Sequence, residues 1–354
     1  MNRKLIPRLL LAATLMGAAL AAPAFQHSND VPAAATRLAA SSPLLAVAGA
    51  GDRLVAAGLR GIIVFSDDQG KTWTQAQVPV SSDLVALAFP SPKQGWAVGH
   101  GGIVLHTSDG GATWVKQLDG AKAAQLAIAH FESRAASDPV AERLLADEQG
   151  LLGEGNGMQP FLDVYFENDQ LGYVVGTFNR IFRTEDGGAT WQPLMAWTDN
   201  PNGLHFNSVT GDGHGNLYLA GEQGLVWRLD EARKRFVQVP TPYTGTLFGL
   251  VADGPVLFAY GMRGSLYRSE NEGRAWAKVD LNNLAGITGI AILPDDQAIL
   301  LVTQAGGLYV SHDQGKSFAP AKPAEPMNYY SVHAAGQGWI VLSGSGGVRL
   351  EALR

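Results

Sequence analysis

"SDDQGKTW" at residues 66–73 returns as "TSDGGATW" at 107–114 and as "TEDGGATW" at 184–191. A chain that rewrites Ser/Thr-x-Asp-x-Gly-x-Thr-Trp three times is first a question of period, because a missed repeat mis-assigns a whole fold. From Trp73 to Trp114 the step is 41 residues, from Trp191 to Phe236 it is 45, from Phe236 to Trp276 it is 40, and from Trp276 to Phe318 it is 42. Trp114 to Trp191 is 77, one unit plus an insertion.

A second landmark fixes the frame. Short apolar and aromatic runs end at Gly58, Gly99, Gly176, Gly221, Gly261, Thr303 and Gly344, and the first six stand 8 residues before Ser66, Thr107, Thr184, Leu229, Ser269 and Ser311. "RLDEARKRF" at 228–236 keeps that spacing although its motif chemistry has gone. Each unit reads as four short strands, as in "LVALAF", "GWAVG", "GIVLHT" and "TWVKQL". Four-strand units of about 41 residues are β-propeller blades. Seven are centred on Val47, Leu87, Val164, Val209, Leu250, Ile290 and Val332. The expected fold is all-β, a seven-bladed propeller over 25–354. The last unit runs out one strand short, so residues 33–39 are expected to supply its outer strand and close the ring, protecting an open edge.

The motif residues explain themselves as a turn. Gly70, Gly111 and Gly188 permit positive φ. Asp68, Asp109 and Asp186 accept nearby backbone N–H bonds, with the Ser/Thr hydroxyl beside them. Trp73, Trp114 and Trp191 bury apolar area against the sheet. One or two carboxylates per turn are too few for Ca²⁺, which takes several converging oxygens, so no metal or cofactor is expected.

The motif is the Asp-box, or BNR repeat. Together "GLRGIIVFSDDQGKTW", "GHGGIVLHTSDGGATW" and "GYVVG" resemble the photosystem II stability/assembly factor family over nearly all of residues 30–354. That resemblance implies an exported seven-bladed propeller without enzymatic activity that assists assembly of membrane proteins.

Residues 1–24 read as a secretory signal peptide, with Arg3, Lys4 and Arg8, the apolar run Leu9–Leu20 and small residues after it. The apolar run is too short for a membrane span. Export to the periplasm is expected, with secretion as the alternative. Removing three positive charges takes the formal charge from −6 to −9, which argues against a nucleic-acid partner. With no cysteine there are no disulfides, so a large core must hold the fold.

Val164 stands 50 positions after Trp114, 36 more than the usual step of 14 from motif to next centre. A helical hairpin is expected over about 119–158. Ala124, Ile128, Phe131 and Ala135 form one stripe, and a second helix is capped by Asp138 and Pro139, ends at Gly150 and is followed by a flexible "GLLGEGNGMQP". It reads equally as a docking clamp or as packing on the propeller's side.

The turns between second and third strands share a face with the blade-to-blade connections, where working loops gather. "LRG", "FNR" and "MRG" place Arg60, Arg180 and Arg263 there, with Phe178, Met262, Trp197 and Tyr243 nearby, a composition that suits protein binding. Near the axis, the residues preceding the blade centres are small except Asp163, read as a satisfied structural carboxylate. The expected function is a non-enzymatic scaffold whose partner is a membrane protein or an envelope transport complex. The alternative is an Asp-box glycosidase of the sialidase kind, for which the three arginines would imitate a carboxylate-binding triad. No Tyr–Glu pair and no two facing carboxylates support it.

Overall fold

The computed structural model describes residues 26–293, 298–336 and 338–353; the expected signal peptide lies outside them. Seven antiparallel sheets are arranged around an axis, six of four strands and the last of three. Every expected centre falls on an inner strand, from Leu44–Ala50 in blade 1 to Tyr329–Gly336 in blade 7. Neighbouring blades cover both faces of the second strand, so Gly95–Gly99 ("GWAVG") and Leu217–Gly221 ("LYLAG") are buried at every position. That is why these strands read as continuous apolar runs rather than alternating ones.

The repeated motif is a turn with a second task. In blade 1 the Thr72 hydroxyl and N–H donate to Asp68 at 2.6 and 2.8 Å, the Ser66 hydroxyl donates to Asp68 at 2.8 Å, and Gly70 N–H donates to Ser66 Oγ at 2.8 Å. Those bonds, the Thr72 hydroxyl foremost, pull the Asp68 carboxyl down to about 2. Blades 2, 3 and 6 repeat the network around Asp109, Asp186 and Asp313. The motif glycine then leans on the preceding blade. A Cβ on Gly111 would stand 3.1 Å from Val55 of blade 1, and one on Gly188 would stand 2.0 Å from Gln117 of blade 2. The motif therefore wedges blade against blade.

Ring closure departs from the sequence expectation. Residues 33–39 form no strand, and the seventh sheet keeps three. Blade 1 occupies that segment's polar groups instead. Ala33 N–H donates to Val78 O, and the Gln75 side chain both accepts from Thr36 N–H and donates to Ala34 O. The ring closes by packing, with Val47, Leu54 and Val64 of blade 1 against Val341, Val348 and Leu350 of blade 7. Gly70, at φ +86°, completes the seam: a Cβ there would stand 3.2 Å from Val341. Gly70→Ala should lower unfolding free energy by about 1–2 kcal/mol, through left-handed strain and a pushed seam. Urea unfolding followed by tryptophan fluorescence checks this; an unchanged midpoint would remove the seam from the account.

The insertion is a helical hairpin, α1 (Gly120–Glu132) and α2 (Pro139–Gly155). Asp119 and Asp138 cap the two helices. The buried stripe of α1 is Ala123, Ala124, Ala127 and Phe131; Ile128 and Ala135 are only partly covered. Helix α2 does not stop at Gly150 but runs on to Gly155, where Asn156 supplies the left-handed cap at φ 51°. Most of the expected flexible stretch is thus helix. The hairpin's apolar residues join the core shared by blades 2, 3 and 4, so it is packed on the propeller.

Candidate protein-binding face

In blades 1 to 5 the turn between second and third strands follows one backbone course, counted from its landmark residue. Two residues on, Arg60, Phe178, Gln223 and Arg263 take left-handed φ of 55–57°, where blade 2 has Gly101. Three residues on, Gly61, Gly224 and Gly264 pass so close to the next connection that a Cβ would stand 1.9–2.0 Å from a carbonyl oxygen. Blade 3 places Asn179 there, a residue type that tolerates the left-handed region. Four residues on, the chain turns inward with Ile62, Ile103 and Leu225.

That count corrects one expected site residue. Arg60 and Arg263 are tip residues, but Arg180 stands in the inward slot and is fully buried. Its guanidinium donates to Glu148 of α2 at 2.7 and 3.3 Å and to Gly157 O at 3.1 Å. Arg180 therefore anchors the hairpin and is absent from the surface. The signal was in the sequence: Arg180 follows its glycine by four residues, the other two arginines by two.

Arg60 and Arg263 are exposed and make no ion pair among the described residues. The Arg60 backbone N–H is held by Asp83 at 2.7 Å, which fixes the turn and leaves the guanidinium free. Phe178 and Met262 are exposed by 48% and 43%. Trp197 ends a short 3₁₀ turn and packs half-buried against the core. Tyr243 is half-buried too, its ring tilted against Tyr267 and its hydroxyl 3.4 Å from Met262 O. These two support the face rather than being presented by it.

Three further residues belong to the face. Phe248 and Leu284 are exposed, and His205 meets the Phe178 ring edge-on at 4.9 Å. Phe248 was legible in principle: the slot two residues before each centre lines the mouth of the axial channel, and it holds Val85, Leu162 and Phe248 in blades 2, 3 and 5. With Asn207 and Glu222 they bound a recess of about 380 Å³. Glu222 accepts the His205 N–H at 2.9 Å, so it braces a turn.

Inside the ring Asp163 accepts two backbone bonds, from Val164 and from Val209 of the next blade, each 2.9 Å. Ser208 repeats the device one blade on, taking Leu250 N–H at 3.2 Å. Burial pushes the Asp163 carboxyl up to about 6 against the pull of those donors. Its expected structural role accords with this geometry. Among the described residues no group of three or more His, Asp or Glu side chains is placed to hold a metal, and no helix is long and apolar enough to cross a membrane.

Comparison with known proteins agrees with this architecture. The chain is similar to the photosystem II assembly protein Ycf48 of Synechococcus sp. (strain JA-2-3B'a(2-13)), 27% identical over 300 residues, covering 76% of this chain and 86% of that protein. It is 22% identical over 292 residues to the chloroplastic photosystem II stability/assembly factor of Arabidopsis thaliana, covering 69% of each. Among solved structures, YCF48 bound to D1 peptide superposes with a TM-score of 0.63 at 17% identity, over 89% of this chain and 94% of that one. These relatives are named as assembly factors, not as enzymes. The model of the family described as photosynthesis system II assembly factor YCF48 matches residues 46–135 and 156–280, more than half of the chain, and the protein belongs to that family.

Proposed function

We propose that this protein is an exported, non-enzymatic scaffold that captures a membrane-protein client through its connection face and so assists assembly of an envelope complex. The observation that carries the reading is conformational. Glycine is the residue least strained at the left-handed turn tips, and blade 2 has one, yet blades 1 and 5 hold arginines there. Retaining a strained, unpaired guanidinium on a chain of net charge −6 is understandable as recognition of a carboxylate-bearing segment. Exposed Phe178, Phe248, Met262 and Leu284 on the same face supply the apolar contact. The relatives named as assembly factors, and the relative solved with a D1 peptide, support a polypeptide client.

The test exploits the same strain. Arg60→Gly with Arg263→Gly should leave thermal stability unchanged or raise it by up to about 1 kcal/mol per site, while weakening client capture about tenfold or more. Crosslinking in cells with mass spectrometry, alongside melting of the purified variant, reads both arms. Undiminished crosslinks in the double variant would sink the proposal.

A further inference from the structure

Among the described residues blade 7 has no fourth strand and no turn of the kind that joins third to fourth strand in the other blades. Its third strand, Gly347–Ala352, is consequently the outer edge. Leu353 N–H donates to Gly338 O, and the strand pairs Ile340 with Glu351 and Leu342 with Arg349. By the alternation of antiparallel bonding, Arg349, Glu351 and Leu353 bond inward while Val348, Leu350 and Ala352 turn their N–H and C=O groups outward. No described residue bonds those three N–H groups. The turn Ala39–Ser41 packs against the start of this strand, where a Cβ on Gly347 would stand 1.9 Å from Ala40 O, and bonds none of the three outward N–H groups.

Beside that edge runs a groove of about 340 Å³ between blades 6 and 7. Leu308, Ala321, Leu353 and Trp339 contribute its apolar lining, and Trp339 is 42% exposed. The two charges on this side of the strand are already engaged: Arg349 with Glu325 at 2.6 Å, and Glu351 by accepting Ala324 N–H at 3.2 Å.

We propose that the edge of blade 7 is a second docking surface, which takes an extended segment of a protein partner as its fourth strand. The six complete blades show what occupies that place, an antiparallel strand. The edge is recessed by one strand between the outer strands Ala319–Ala321 of blade 6 and Thr74–Gln75 of blade 1. One missing strand leaves room for a single extended chain. Residues 33–36, the stretch best placed to fill it from within, are bonded to blade 1. The partner segment spans Val348–Ala352, about five residues or 17 Å, and alternate side chains on one of its sides are apolar to meet the groove.

The probe is a phage-displayed library of random dodecapeptides panned on the purified protein, with the enriched peptide then made synthetically. Enriched sequences should alternate apolar residues. Saturating peptide should slow amide exchange at Val348, Leu350 and Ala352 about tenfold or more, whereas without peptide these amides exchange fast. Ala352→Pro removes an outward N–H and no bond within the sheet, so it should weaken the peptide about tenfold with an unchanged melting temperature. Trp339→Ser at the groove mouth should weaken it severalfold, as a second variant that leaves the strand intact. Protection of the three amides in the free monomer would assign the edge to the chain's own residues and overturn the proposal. Protection that appears only with dimerisation would assign it to a second copy, with the same consequence. So would peptide binding that leaves these amides unchanged. Arg60→Gly with Arg263→Gly should leave the peptide's affinity unaltered, which separates this surface from the connection face.

Discussion

Glu148→Ala is expected to cost about 3–5 kcal/mol of stability, as breaking a buried ion pair does when one partner is left behind. The Arg180 and Glu148 side chains are exposed by 0% and 4%, and the pair is held by two hydrogen bonds. Removing the carboxylate leaves a guanidinium in the core with only Gly157 O for company. Replacing both partners, Arg180→Met with Glu148→Leu, should recover most of the loss, since an apolar pair of similar volume dispenses with the desolvation of two ions. Urea unfolding of the two single variants and the double variant decides it. A single variant within about 0.5 kcal/mol of the parent, the range of ordinary surface changes, would mean that the hairpin is not anchored by this pair. Because α2 borders the turn carrying Phe178, loss of the anchor should also loosen that part of the connection face.

Asp163→Asn should change the pH dependence of stability rather than merely its level. The carboxyl is raised to about 6 from an ordinary 3.8, so the folded protein binds a proton that the unfolded chain has released between those values. This residue's contribution is full below about pH 4 and is lost as the pH rises through 6. Two pKa units correspond to about 3 kcal/mol. The asparagine variant cannot ionise, and its single acceptor oxygen serves only one of Val164 and Val209, so it begins at a disadvantage. Its stability relative to the parent should then improve by about 3 kcal/mol from pH 4 to pH 7. The difference between the two proteins isolates Asp163 from the motif aspartates, whose lowered pKa values act the opposite way, weakening the fold as the pH falls. Parallel stability curves would show that Asp163 ionises freely against the channel.

The sequence by itself determined the seven blades, the wedge turns and the existence of the hairpin. All three rest on local chemistry: Ser66, Asp68, Gly70 and Thr72 satisfy one another within seven residues, and their spacing to Gly58 and Leu87 recurs even where the side chains have decayed. Helix caps at Asp119 and Asp138 are equally local, whereas Gly150 misled because a helix packed along one side tolerates an exposed glycine. Spacing from Gly176 marks Arg180 as inward, but only the tertiary structure decided what meets it there. Arg180 is buried because a 36-residue insertion folds back over its slot and brings Glu148 to meet it, a contact across 32 positions. The open edge of blade 7 has the same kind of origin. Counting assigned residues 33–39 to the outer edge of blade 7, but whether they pair there depends on competition for their backbone groups. Gln75 and Val78 of blade 1 win that competition, leaving Val348, Leu350 and Ala352 without a strand beside them. Periodicity is written in neighbouring residues; the partner of a buried charge or of a free strand edge is fixed only when distant segments meet.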